Sequence, residues 1–445
     1  MTQRRDDGDV RNAEWRQRRD ARGDEYPPYD EPAPPPTPEW VPPPEPEVVE
    51  PPPAPTHPDP LVGRLRIEGG AYVDDTGPRL PVFLHMGDLI GQGLAFGVDH
   101  IVPALDFAAA HGYHGLRSWF HLFTDGGGWW ANKPVSKWDP RQDPQRFREI
   151  LAAGAARGLK WHLASGGIGG VGNTDENAIF DCLADAMADV GPAHFALIEA
   201  VNEVRDTGDR DDQEPAELAR LIQRVRDRHP ETLYALSAYT GHEDRDLLRA
   251  WTARWMEFYL VHGERGGRAH DKIRHIFSLG YDGEHPTVRR LGWQGEPWGV
   301  GRLVSAQAGH DELDAHVMQA GGVMAAMARQ VWTVMSGPGV IYGDQPLEQM
   351  PGLREVPSVV RRLPQDLMRF NVLSHAGENK RGQRIHAAHD DVRADYAIDH
   401  GTGRYVEMIY GPPEQRHDLR QERNTRYDSI VLDGPWARVT AGQLA

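Results

Sequence analysis

Between Leu61 and about residue 375, short apolar runs alternate with longer amphipathic ones, and no other feature restricts the fold as much. The strand signals are PVFLHMGD, GLRSWFHLF, KWHLAS, HFALIEAVNEV, LYALSAY, EFYLVHGER, LGWQGEPWG and GVIYGD. The helical runs between them include GVDHIVPALDFAAAHG and DPQRFREILAAGAARG, the second opened by Asp-Pro and closed by Gly. Further on come IFDCLADAMADV, EPAELARLIQRVRDRHP, LLRAWTARW, HDKIRHIFSLG and a long helix over DELDAHVMQAGGVMAAMARQVWTVMSG. VVRRLPQDLMRFNVLSHAG reads as a last helix that Pro364 must kink or break. Eight such βα units predict an α/β fold, a closed (β/α)8 TIM barrel over residues 61–379.

The flanks differ in kind. RLRIEGGAYVDDTGPRLPVF is a pair of short strands around an Asp-Asp-Thr-Gly turn that feeds the first barrel strand. From about 380 the helical period stops. DYAIDHGTGRYVEMIYGP and YDSIVLDGPWARVTAG read as strand pairs, so 380–445 is expected to be a small β-domain. Residues 1–60 hold about half of the 36 prolines in a background of Asp, Glu and Arg. Such a stretch buries too little apolar surface to offset its ordering entropy, so it is expected to be a disordered, partly polyproline-II tail. It reads as a spacer, with a docking peptide for a protein partner as the alternative.

The formal net charge of -17 disfavours phosphate backbones and anionic membranes as partners, and no apolar run reaches the length of a membrane span. No classical signal peptide opens the chain, so the location is expected to be cytoplasmic, non-classically exported or virion-associated. The single cysteine, Cys182, excludes an internal disulfide and reads as an inert helix thiol. No cofactor and no metal is expected. His386 and His389, with Asp390 the nearest candidates for ligands, read as solvated loop histidines.

In a barrel of this kind the reacting groups sit at the C-terminal ends of strands. Two glutamates meet that test: Glu203 after strand four, in ALIEAVNE, and Glu296 after strand seven, in LGWQGE. Strands four and seven face each other across the mouth. Two carboxyls about 5 Å apart there are what retaining glycoside cleavage requires, one protonating the leaving oxygen and one attacking the sugar carbon.

With these residues in place the chain resembles the retaining glycoside hydrolases on (β/α)8 barrels, the cellulase- and mannanase-like enzymes. IEAVNE, with Glu199, Asn202 and Glu203, is similar to the family's strand-four signature, and GEPWG to its strand-seven glutamate. The resemblance implies that Glu203 is the acid/base, Glu296 the nucleophile, and Asn202 the residue that holds the sugar 2-hydroxyl. Arg117 in GLRSW is similar to the strand-two arginine beside the nucleophile, and Tyr342 to the aromatic that floors the sugar site. Two departures stand out. Ser165 and Gly166 occupy the end of strand three, where the family carries a histidine, and His162 lies earlier. Strand six ends His262-Gly-Glu264-Arg265 in place of His-x-Tyr, which brings a third carboxyl to the cleft.

Aromatic rings suit pyranose faces, and Trp119, Trp129, Trp130 and Trp298 fall on or after strand ends. The expected activity is therefore retaining hydrolysis of an oligo- or polysaccharide. A non-catalytic carbohydrate-binding barrel, alone or as part of a larger particle such as a phage virion, is the alternative. GIGGVG at 167–172 matches a dinucleotide-binding pattern, which makes a nucleotide-dependent oxidoreductase the third reading. That pattern falls in the third βα unit and lacks its acidic partner, so a glycine-rich lip to a sugar cleft fits it better.

Overall fold

Runs such as Val-Phe-Leu-His, Lys-Trp-His-Leu-Ala-Ser and Phe-Ala-Leu-Ile-Glu are buried at every position, which is the pattern of parallel strands covered on both faces. In the computed structural model they form β1 (Val82–His85), β3 (Lys160–Ser165) and β4 (Phe195–Glu199). β2 is Gly115–His121, β6 Tyr259–His262, β7 Gly292–Glu296 and β8 Gln330–Met335. β5 has two parts, Leu233–Ala235 and Ser237–Ala238, on either side of residue 236. The described residues are 57–122, 135, 137–166, 176–200, 215–235, 237–238, 258–262, 281–282, 285–289, 291–296, 315–335, 347, 352–375, 385–386, 393–411, 420–421, 427–434 and 437–443. All lie in one unit, Pro53–Ala445.

The sheet order is β5-β4-β3-β2-β1-β8-β7-β6-β5, with every pairing parallel. The first part of β5 pairs with β4 and the second part with β6. The two parts of β5 thus join both ends of the sheet, and the eight strands close into a barrel. The expected (β/α)8 architecture is the one found.

Helices wrap the outside, each placed by local signals. α1 (Leu89–Phe96) and α2 (Val98–His111) follow β1, and α2 ends at Gly112, whose φ of 79° is the left-handed cap that glycine adopts without strain. α3 (Pro144–Ala155) starts with Pro144 at its first position, behind an Asp143 carboxylate that accepts from Arg146 N. Its Phe147, Ile150, Leu151 and Gly154 form the buried stripe. α4 (Glu176–Val190), α5 (Pro215–Arg226) and α6 (Ala315–Met327) follow in turn.

The opening strands Arg66–Glu68, Ala71–Asp74 and Gly77–Pro78 form a small antiparallel sheet. Tyr72, fully buried, donates its hydroxyl to Gly292 O at 3.0 Å and meets the Trp293 ring edge-on at 5.8 Å. Because Gly292 is the first residue of β7, this sheet closes the N-terminal end of the barrel. Trp293 also packs on Phe83 of β1 at 4.9 Å, so an aromatic plug fills the lower interior.

Two expectations are corrected. QVWTVM is the eighth barrel strand, not the end of a long helix, and GVIYGD lies outside the described residues. α6 stops at Met327 and the chain reverses at Arg329, whose φ of 63° is left-handed. An arginine in the position usually taken by glycine gives no stop signal in the sequence. Likewise Asn371–His375 is a strand, not a helix tail. The helix before it, α7 (Val356–Val360), ends ahead of Pro364 as that residue demands.

The Asn371–His375 strand, β9, opens a five-stranded antiparallel sheet with β10 (Arg393–Ile398), β11 (Arg404–Tyr410), β12 (Tyr427–Asp433) and β13 (Ala437–Gln443), in the order β9-β10-β11-β13-β12. Both hairpins read from the sequence are present. Among the described residues no helix is long and apolar enough to cross a membrane.

Candidate functional site

All barrel strands run in one direction, so their C-terminal ends meet at one mouth. His85, Glu199, His262 and Glu296 are the last residues of β1, β4, β6 and β7. Glu296 and His262 are register partners across adjacent strands. The backbone therefore brings an imidazole-bearing and a carboxyl-bearing position side by side at the rim.

Below the rim the interior is polar. His85, Arg117 and His162 stand in register on β1, β2 and β3, and all three are fully buried. Arg117 donates to Glu199 Oε2 through Nη2 at 2.9 Å and Nε at 3.2 Å. His162 Nε2 reaches the same oxygen at 3.0 Å, and since a carboxylate only accepts, that nitrogen carries the proton. Arg117 Nη1 lies 3.1 Å from His85 Nδ1, which must accept because a guanidinium cannot. Burying a carboxylate is costly unless it is paired and hydrogen-bonded, and Glu199 has both.

The His162 ring also meets Trp293 edge-on at 5.2 Å. It thus touches a β4 side chain four residues before Glu203 and a β7 side chain three residues before Glu296. At the ends of β2 and β3, Ser165 Oγ lies 2.7 Å from His121 Nε2, both side chains buried.

The residues singled out in the sequence fall as follows. Arg117 points into the barrel, where its described partners are Glu199 and His85. Trp119 is buried in the wall, its ring 6.1 Å from that of His85 and its carbonyl accepting from Trp138 Nε1. His262 and Glu296 are placed by backbone alone. Asn202, Glu203, Glu264, Trp129, Trp130, Trp298 and Tyr342 lie outside the described residues, as does GIGGVG. His386 sits on a two-residue strand, while His389 and Asp390 lie outside. Among the described residues no three His, Cys, Asp or Glu side chains form a metal-binding group. Cys182 is half-buried on α4, and burial pushes its thiol up, away from the reactive thiolate.

Sequence reasoning passed over His85 and His121. Each ends an apolar barrel strand, and that position was the available signal. His162, which lies earlier on its strand, is central to the network.

No family model and no curated protein matches the chain. Among solved structures it is similar to GH5_18 from Streptomyces cattleya in complex with Manβ1-4GlcNAc, at 18% identity and a TM-score of 0.43 over 64% of this chain and 81% of that one. An exo-β-1,4-mannosidase from an Opitutaceae bacterium aligns at 15% identity and 0.46, over 67% and 62%. The β-mannanase of the blue mussel Mytilus edulis aligns at 10% identity and 0.41, over 66% and 97%. These neighbours are glycoside hydrolases.

Proposed function

We propose that the protein is a retaining glycoside hydrolase acting on an oligo- or polysaccharide. The observation that carries this reading is the barrel register. Glu296 is the last residue of β7, and Asn202-Glu203 follows the last residue of β4 by three and four positions. In a closed eight-stranded barrel these strand ends face one another across the mouth.

In this scheme Glu203 protonates the glycosidic oxygen as Glu296 attacks the anomeric carbon, giving a glycosyl ester and releasing the aglycone. Glu203, now a carboxylate, takes a proton from water as that water displaces Glu296. Asn202 holds the 2-hydroxyl. Arg117, His162 and Glu199 form the rigid polar floor beneath the reacting groups. His262 and Glu264 line the strand-six side, and Trp129, Trp130, Trp298 and Tyr342 supply apolar surface for pyranose faces, whereas Trp119, expected to join them, is buried in the wall. The net charge of -17 leaves a neutral sugar unopposed.

The test is a glycan panel with NMR assignment of the anomeric product. The first-formed product should keep the substrate's configuration, and Glu296→Gln should abolish turnover while sugar binding persists. An inverted product, or a Glu296→Gln variant with full activity, removes the assignment.

A further inference from the structure

The end of the barrel opposite the mouth carries a cavity of about 670 Å³. Its walls come from Asp59, from Arg79 just ahead of β1, and from Arg361, Gln365, Asp366 and Arg369 between α7 and β9. Two of its charges are already matched. Asp59 Oδ1 takes Arg79 Nη2 at 2.6 Å, and Asp366 is gripped by both Arg404 Nη atoms at 3.1 and 2.5 Å.

Three guanidinium groups remain incompletely used. Arg79 is 8% exposed; its Nη1 also reaches Asp74 Oδ2 at 3.2 Å, and its Nε–H alone has no acceptor among the described residues. A buried donor left in this state is costly, and an added acceptor would be favoured there. Arg369 donates Nη2 to Glu68 O at 3.3 Å, and neither it nor Arg361 has a carboxylate partner among the described residues.

We propose that this cavity is a binding site for a phosphoryl group. Guanidinium forks match the oxygens of a phosphate better than any other side chain; Arg361 and Arg369 bring two such forks without carboxylate partners among the described residues, and Arg79, held by Asp59 and Asp74, adds its Nε–H. The volume exceeds that of inorganic phosphate and suits a phosphate monoester of a small polyol or sugar, with Pro58 and Pro78 as the apolar walls. The site lies at the N-terminal end of the strands, so it stands apart from the mouth and does not depend on the glycosidase reading.

The test is isothermal titration of the full chain at low salt with inorganic phosphate and, separately, with glucose 6-phosphate, using sodium chloride at matched ionic strength as the blank. Saturable one-to-one binding is expected, weakened about tenfold or more in Arg361→Gln/Arg369→Gln. Tighter binding of the ester identifies a sugar phosphate, and tighter binding of the inorganic ion identifies free phosphate. No saturation by about 10 mM, or equal affinity in the double variant, overturns the proposal. Both substituted residues sit outside the barrel strands, and an unchanged melting temperature without ligand shows that the variant folds.

Discussion

His162 Nε2 lies 3.0 Å from Glu199 Oε2, the same oxygen that Arg117 grips from the neighbouring strand. One carboxylate oxygen thus ties β2, β3 and β4 together inside the barrel. All of these side chains are withdrawn from water, so the network is expensive to leave half made.

Arg117→Met removes the cation and leaves Glu199 buried without a counter-charge. A loss of about 3–5 kcal/mol is expected, read from urea unfolding. Arg117→Met combined with Glu199→Leu removes both charges and should recover much of that loss. Additive losses in the double variant would contradict a direct pairing.

His162→Leu deletes the donor to Glu199 and alters the contact with Trp293. If the glycosidase reading holds, kcat should fall by about tenfold or more with KM little changed, because strand-end geometry governs attack more than binding. His162→Gln, which keeps an N–H donor, should retain most of the activity. Equal rates in the leucine and glutamine variants would show that the bond has no part in positioning.

Glu203→Gln should slow natural substrates by about 10²–10⁴. Dinitrophenyl glycosides, whose leaving groups need no proton, should still glycosylate Glu296 rapidly, giving a burst of dinitrophenolate. A uniform loss on both substrate types, with no burst, assigns the proton to another group.

Acid should loosen the N-terminal end of the barrel. His57 Nδ1 accepts from Asp59 N at 3.0 Å while its Nε2 donates to Tyr113 O at 2.6 Å, which fixes the neutral ring. His114 Nδ1 likewise accepts from Val82 N at 3.0 Å, with Asp59 and Arg79 at its other nitrogen. Burial lowers both folded-state pKa values below the ordinary 6.5. The unfolded chain therefore binds these protons first. Stability is full above about pH 7 and falls as the pH drops through 6.5, levelling only below the folded values. The Asp59 carboxyl, held at about 2 chiefly by its hydrogen bond to His114, adds a later loss between the usual aspartate range and pH 2. Urea midpoints between pH 7.5 and 5 should decline in wild type and flatten in His57→Gln/His114→Gln.

Gly115 opens β2 where a Cβ would meet Lys160 O at 2.1 Å and the Phe83 ring at 2.3 Å. Backbone on one side and a buried ring on the other leave no easy escape. Gly115→Ala should cost at least about 1–3 kcal/mol, seen as a lowered melting temperature.

The sequence by itself determined the order of the elements and the type of fold. Strands such as KWHLAS and FALIE are short, largely apolar runs, and the helices between them carry their own stop and start residues, Asp143-Pro144 and Gly112 among them. It also marked Arg117, Glu199 and the strand-seven glutamate as polar residues in apolar strands, which position alone makes conspicuous. Elements with unusual punctuation stayed hidden. QVWTVM merged with α6 because an arginine, not a glycine, turns the chain at 329. Tertiary structure alone decided that His162 joins Glu199, that His85 backs Arg117, and that Arg79 meets Arg361 and Arg369 around one cavity. Such meetings join side chains dozens to hundreds of residues apart, and their geometry follows from barrel closure and register, which no local pattern encodes.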